Sequence, residues 1–302
     1  MKILVTGGAG FIGSNLTEEL ARSGEDIIVV DDFSTGTMEN LKSVRKSVKV
    51  LRVPSQKILG LKLPKVKKIF HLGIPSSSPM YRDNPLLVGE AISGFMNVFE
   101  LAKRDQAKVV YASTSSMYRG CPTPHREDVF SEPFDYYTEA RIAMERLARV
   151  YHGLHSVSSV GMRFFSVYGP HEHAKGTYAN NVSQFLWAML EGKAPEIFGD
   201  GKQSRDFVNV KDVVQACIKA SESKLGCEVV NVGTGRGTSF NQVIELINKS
   251  LETSIKSVYL SNPIKNYVEH TLADLTKAKK LLRYKPTVSL EEGIKQLVSI
   301  KE

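Results

Sequence analysis

Thr114, Tyr137 and Arg141 have the residue types and spacing to move a proton to and from an alcohol. Tyr137 and Arg141 stand one helical turn apart, so on a helix their side chains share a face. A free tyrosine is too weak an acid to serve as a base near neutral pH. A fixed cation beside it favours the phenolate. Thr114 follows an apolar run, Lys108 to Ser113, and opens the stretch Thr114-Ser115-Ser116-Met117-Tyr118. Hydroxyls at the carboxyl end of a parallel strand lie where doubly wound sheets bind ligands. From there Thr114 can hydrogen-bond a substrate oxygen from the side opposite the tyrosine. A tyrosine and an arginine at this spacing also occur on ordinary amphipathic helices, so the pair carries little weight alone.

The element that gives these residues a partner is the first part of the chain, Lys2 to Asp32. Ile3-Leu4-Val5 reads as a buried strand, Gly7-Gly8-Ala9-Gly10-Phe11-Ile12-Gly13 as a turn, and Ser14 to Arg22 as a helix. Ile27 to Val30 is a second strand, ending in Asp31-Asp32. Gly7 permits the tight turn, Gly10 lets the backbone approach a pyrophosphate, and Gly13 lets helix and strand pack closely. The free N–H groups at the helix start, around Phe11 and Ile12, then face the phosphates. Asp31, about 20 residues after the glycines, is placed to accept hydrogen bonds from the adenosine ribose. An acid there repels a 2′-phosphate, so NAD is expected over NADP. The turn Phe33-Ser34-Thr35-Gly36 flanks the adenosine.

At 302 residues and 42% hydrophobic, the chain can bury a sizeable core as one large or two medium domains. No apolar run approaches the length of a membrane span. Met1 runs straight into the first strand, so no signal peptide is expected. Cys121, Cys217 and Cys227 match no metal-ligand spacing, and no metal site is expected. They suit a reducing compartment, and the expected location is cytoplasmic. The net charge of +8 comes from dispersed lysines, which reads as a solvated surface, not a nucleic-acid footprint.

Between the third strand, within Leu41 to Val53, and the fourth, Lys68 to Leu72, lies only Pro54 to Val66. That is near the minimum for a parallel crossover, so a single turn or loop is expected in place of a helix. Pro85 to Arg104 is the longest helical pattern, apolar around almost its whole circumference. Such a helix is buried on two sides. The sheet covers one side, and a second subunit is expected on the other, giving a homodimer.

Four further stretches make the reading specific: Tyr111-Ala-Ser-Thr-Ser-Ser-Met-Tyr118, Arg163-Phe-Phe-Ser-Val-Tyr-Gly-Pro170, Ile197-Phe-Gly-Asp-Gly-Lys-Gln-Ser-Arg-Asp-Phe207 and Asn231-Val-Gly-Thr-Gly-Arg-Gly-Thr-Ser239. With the glycine turn they resemble an extended short-chain dehydrogenase/reductase of the UDP-glucose 4-epimerase group, over essentially the whole chain. The resemblance implies an α/β fold, a Rossmann-like doubly wound parallel sheet with a smaller C-terminal substrate domain. It implies an NAD-binding domain over 1–168, with 206–235 returning to it, and a substrate domain over 169–302. It makes Tyr137 the acid/base, Thr114 the residue orienting the substrate hydroxyl, and Arg141 a ligand of the nicotinamide ribose. Leu72, Gly73, Ile74, Ser113 and Phe165 join the cofactor site by the same resemblance. Arg205 falls where relatives clamp the nucleotide diphosphate, and Phe198 where they flank the uracil. Ser116, Ser166 and Asn180 line the substrate pocket, and Thr271 borders the sugar.

The sequence also departs from that pattern. Arg141 replaces a lysine, Ala91 replaces an asparagine in the long helix, and Ser166 replaces an asparagine after Phe-Phe. Ile264-Lys265-Asn266-Tyr267 stands where relatives often carry Arg-Pro-Gly-Asp, leaving Lys265 as the substitute for the diphosphate arginine. Val53-Pro54-Ser55 lacks the aspartate that usually contacts adenine. Dehydratase relatives carry an Asp-Glu pair after the hydroxyl residue, and here those positions are Ser115 and Ser116. The expected function is a UDP-glucose/UDP-galactose 4-epimerase that uses NAD. A cofactor-releasing reductase or dehydrogenase and a sugar-nucleotide-binding homologue impaired in catalysis are the alternatives.

Overall fold

The computed structural model describes residues 2–129, 131–262 and 267–300. β1 (Lys2–Thr6), α1 (Phe11–Arg22), β2 (Asp26–Asp31), β3 (Val48–Arg52) and β4 (Val66–His71) come first. They are followed by α2 (Ser78–Asp83), α3 (Leu87–Asp105), β5 (Lys108–Thr114), α4 (Tyr136–His155) and β6 (Ser159–Phe164). Then come β7 (Ser166–Tyr168), α5 (Asn181–Leu190), β8 (Glu196–Phe198), β9 (Ser204–Arg205) and β10 (Phe207–Asn209). The chain continues through α6 (Val210–Glu222), β11 (Cys227–Val232), β12 (Thr238–Ser239), α7 (Phe240–Leu251), β13 (Val258–Leu260), α8 (Thr276–Leu282) and α9 (Leu290–Ile300).

Seven strands pair in parallel in the order β11-β6-β5-β4-β1-β2-β3. Ile27 to Val30 are all buried, as an unbroken apolar strand must be when helices cover both faces of a sheet. The chain runs outward from β1 to β3 and then returns to β4 on the other side of β1. The order reverses between β1 and β4, and doubly wound sheets bind ligands at such a switch point. No helix among the described residues is long and apolar enough to cross a membrane.

As the short Pro54–Val66 span predicts, β3 and β4 are joined by a 3₁₀ segment, Ser55–Gly60, anchored by fully buried Ile58. The apolar helix begins later than its pattern suggests. Asn84 Oδ1 accepts the Leu86 N–H at 3.1 Å and turns the chain, so α3 starts at Leu87. It spans 19 residues and α4 spans 20, which makes α4 the longer of the two, against the sequence expectation. Phe95, Val98, Phe99, Leu101 and Ala102 of α3 are buried within the chain, while Met96 stays 41% exposed.

The smaller lobe has its own core, with Phe185, Val243, Ile247 and Ile294 from α5, α7 and α9. α5 begins at Asn181. His173–Tyr178 is 3₁₀ and is broken at Gly176, whose φ is +52°. Asn180 then caps α5, its Oδ1 accepting the Val182 N–H at 3.0 Å.

Candidate active site

A cavity of about 450 Å³ opens at the switch point, floored by the carboxyl ends of β1, β2, β4 and β5. The glycine turn forms one wall. Gly7 has φ +68°, and a Cβ there would lie 2.5 Å from the Gly73 backbone. A Cβ on Gly13 would lie 1.9 Å from the Gly7 carbonyl oxygen, so helix and turn can meet only through glycine. A Cβ on Gly10 meets protein only at 3.3 Å, from the Gly7 oxygen. Gly10 therefore matters for the space it leaves in the cleft more than for packing. The cradle fits the diphosphate of a dinucleotide, with the amino end of α1 supplying unpaired N–H groups.

Asp31 is buried and holds this wall together. Its Oδ2 accepts the Ala9 N–H and its Oδ1 the Phe33 N–H, each at 2.8 Å. Burial raises its pKa, while the bonds from Phe33 and Ala9 oppose the rise. The carboxylate thus shapes the turn before any ribose arrives, a task that spacing alone does not reveal. Asp32 Oδ1 accepts the Ser34 N–H at 2.9 Å, which sets the turn through Ser34, Thr35 and Gly36 along the cleft.

Another wall of the cavity is built from β5 and α4. Thr114 Oγ1 accepts the Ser116 N–H at 3.1 Å and lies 3.0 Å from the Ser116 hydroxyl. Asp135 caps α4 through the Thr138 N–H at 2.7 Å, and its other oxygen accepts the Ser78 hydroxyl at 2.8 Å. That double anchor fixes the first turn of the helix, which carries Tyr137. The Tyr81 ring meets the Tyr137 ring edge-on, with centroids 5.5 Å apart. The guanidinium carbon of Arg141 lies 5.0 Å from the Tyr137 ring centroid. Arg141 Nη2 donates to the Pro75 carbonyl at 2.8 Å, and Nε has no partner among the described residues. The arginine is thus held beside the tyrosine, with Nη1 3.8 Å from the Met144 sulfur and Nε buried.

Phe11, Ile12, Leu72, Gly73, Ile74, Ser113, Ser116, Phe165, Ser166 and Asn180 line the same cavity, with Thr114, Tyr137 and Arg141. Ser113 gives its hydroxyl to Glu145 Oε1 at 2.5 Å, which engages it inside the protein. Phe198, Arg205 and Thr271 are not among the lining residues. Arg205 donates to the Ser204 and Glu269 carbonyls at 2.9 and 3.1 Å and stacks between the Phe240 and Tyr267 rings. Thr271 Oγ1 accepts the Asp206 N–H at 3.2 Å. Phe198 is 40% exposed. Lys265 lies outside the described residues. Sequence reading missed Gln56, Ser76, Ser77, Ser78, Lys175 and Tyr178, which also line the cleft. The run Pro75-Ser-Ser-Ser78 directly after Gly73-Ile74 was the available signal for three of them.

His71 closes the floor at the end of β4, fully buried, with Nδ1 2.7 Å from Thr6 Oγ1 and Nε2 unpartnered among the described residues. Burial, and secondarily the charge of Arg141, pushes its pKa down to about 3. The unfolded chain then binds a proton on His71 below about pH 6.5 that the folded chain refuses, so this contribution to stability is present above that pH and lost as pH falls. Between pH 7 and pH 5 the loss amounts to about 2 kcal/mol. His71→Asn should flatten the acid side of the stability profile by that amount in denaturant titrations, and an unchanged slope would refute the assignment.

A profile of the NAD-dependent epimerase/dehydratase family matches residues 3–233. UDP-glucuronate 4-epimerase of Thermodesulfobacterium geofontis is 34% identical over 98% of this chain and 94% of its own length. Among solved structures, UDP-glucose 4-epimerase of Thermotoga maritima with UDP-glucose superposes with a TM-score of 0.91 at 33% identity, covering 99% of this chain and 98% of that one. UDP-glucuronic acid 4-epimerase of Bacillus cereus, in complex with UDP-glucuronic acid and NAD, gives a TM-score of 0.88 at 29% identity over 100% of both chains. The glycine cradle at the switch point and the Thr114–Tyr137–Arg141 wall facing it thus sit on a shared whole-chain architecture, and this chain belongs to the NAD-dependent epimerase/dehydratase family.

Proposed function

We propose that this protein is a UDP-sugar 4-epimerase acting through a 4-keto sugar, with UDP-glucose and UDP-galactose as its substrate pair. The observation that carries the reading is a single cleft in which Tyr137 and Thr114 face the glycine cradle, with serines, not acids, in the two positions after Thr114. NAD, when bound, supplies the hydride acceptor and later the donor. Thr114 would hold the O4 hydroxyl, and the Tyr137 oxygen would take its proton as the C4–H bond gives up its electrons and C4=O4 forms. After the keto sugar turns over, reduction would take place on its other face and Tyr137 would return the proton to O4. Atoms and electrons balance with no co-substrate. Loss of water across C5 and C6 would need an acid and a base beside the sugar, and Ser115 and Ser116 supply neither.

UDP-glucuronate is the second reading, favoured by the 34% identical relative of that specificity and by the hydroxyls of Ser76, Ser77 and Ser78 in the cleft wall. Purified protein supplied with NAD and either UDP-galactose or UDP-glucuronate decides between them, with products separated by chromatography. Conversion of UDP-galactose to UDP-glucose supports the first reading, and conversion of UDP-glucuronate alone supports the second. Binding of both sugars with conversion of neither would overturn both. Retention of NAD through purification separates an epimerase from a cofactor-releasing reductase.

The same reading includes a homodimer built on α3 and α4. The Tyr151 hydroxyl lies 3.5 Å from the Met96 carbonyl, so the two helices are neighbours there. Beside this contact Met96, Val150 and Leu154 are 41%, 51% and 71% exposed, an apolar strip suited to a second copy. Sedimentation at micromolar concentration should show a dimer, and Val150→Glu should shift it toward monomer. A wild-type monomer under those conditions would refute the interface.

A further inference from the structure

The geometry points to Gln56 as the residue that reads the adenine base of the dinucleotide, through its side-chain carbonyl oxygen and the adenine amino group. The inference rests on the NAD dependence of the family and is independent of which sugar the enzyme turns over. Gln56 lies in the 3₁₀ segment that follows β3 and lines the cleft beside Val53, Ser55, Leu87 and Glu90. This is the adenosine end. β3 pairs with β2, and the Val53 N–H donates to the Asp31 carbonyl at 3.0 Å, next to the acid placed for the ribose.

The amide of Gln56 is oriented by its neighbours. Nε2 donates to the Glu90 carbonyl at 3.1 Å, and the Asn97 side chain donates to the Gln56 backbone carbonyl at 2.6 Å. Turning the amide over would set its oxygen against the Glu90 oxygen, two acceptors facing each other, so the orientation is fixed chemically. That leaves Oε1, which is buried and has no donor among the described residues. A buried acceptor without a donor costs folded proteins stability, and such groups call for an explanation. The adenine amino group is a donor that arrives with the cofactor. Because Oε1 is shielded in the free protein, the inference requires the Gln56 side chain to turn toward the cleft when the cofactor binds, with Nε2 remaining on the Glu90 carbonyl. Adenine then differs sharply from hypoxanthine, whose carbonyl at the same position would confront Oε1 with a second acceptor.

The test compares equilibrium binding of NAD and nicotinamide hypoxanthine dinucleotide to full-length protein stripped of cofactor, by calorimetry without any sugar. Wild type should bind NAD at least about tenfold more tightly, the scale of one hydrogen bond exchanged for a repelled and unpaired acceptor. Gln56→Met, which fills the same volume without the oxygen, should bring the ratio close to one. Gln56→Ala, which removes the oxygen together with the amide, should likewise lose the preference for NAD. Equal binding of the two dinucleotides by wild type would overturn the inference. So would an undiminished preference in Gln56→Met. Should Gln56→Met fail to fold, an undiminished preference in Gln56→Ala would overturn it equally. Loss of epimerase activity on every sugar, with the dinucleotide ratios as expected, would count against the proposed reaction and leave the adenine reading standing.

Discussion

Tyr137→Phe should lower turnover by about 10²- to 10⁴-fold, the range for removing general acid–base assistance, while dinucleotide and UDP-sugar affinities stay within a few-fold of wild type. The ring is fixed by packing that the substitution leaves intact: the Tyr81 edge contact, the Arg141 guanidinium and the first turn of α4 capped by Asp135. Only the phenolic oxygen is lost. Arg141 sharpens the test because it stands where relatives carry lysine. Arginine remains charged at every accessible pH and offers five donors, so charge and hydrogen bonding both persist. The Pro75 carbonyl engages one terminal nitrogen, and the guanidinium sits 5.0 Å from the Tyr137 ring centroid. Arg141→Lys should therefore keep substantial activity, and Arg141→Ala should lose about 10²-fold or more. If wild type and Tyr137→Phe are equally inactive while both bind UDP-sugars, the protein is a binding homologue and the acid–base assignment fails.

The second large effect lies behind the cleft. Arg163 Nη2 and Nε meet Glu145 Oε2 and Oε1 at 2.7 and 3.0 Å, a two-pronged ion pair whose side chains are only 4% and 6% exposed. Glu145 also accepts the Ser113 hydroxyl, and Arg163 Nη1 donates to the Tyr118 hydroxyl, which donates to Asn231 Oδ1. The network ties β5, α4, β6 and β11 together directly behind Thr114. Arg163→Ala leaves a buried carboxylate without its counter-charge and should cost about 3–5 kcal/mol of stability. For a chain of this size that corresponds to a fall in melting temperature of about 10 °C. Replacing both partners with Met and Leu removes the stranded charge and should recover much of the loss. Thermal unfolding of the single and double variants measures this, and a single-variant loss below about 1 kcal/mol would show that the pair is not holding the strands.

What could be read along the chain was whatever neighbours in sequence decide. The glycine turn was legible because its steric demands are local: left-handed φ at Gly7, and no room for a Cβ at Gly13. The parallel sheet was legible because strands covered on both faces read as unbroken apolar runs, as Ile27 to Val30 do. The missing crossover helix followed from the length of Pro54–Val66, and the Tyr137–Arg141 pairing from one turn of helix.

Only the tertiary structure decided which remote groups each side chain meets. Asp31 could be placed at the ribose by spacing, but its grip on the Ala9 and Phe33 amides depends on how the turn folds back over β2. Gln56, Lys175 and Tyr178 enter the cleft from two separate 3₁₀ segments, Ser55–Gly60 and His173–Tyr178, and no local pattern marks them. Arg205, Phe198 and Thr271 took their expected roles from resemblance. Packing in the smaller lobe sets Arg205 between two aromatic rings and leaves all three off the cleft wall. Backbone conformation answers to residues a few positions away, whereas burial and hydrogen-bond partners answer to chain segments that only folding brings together.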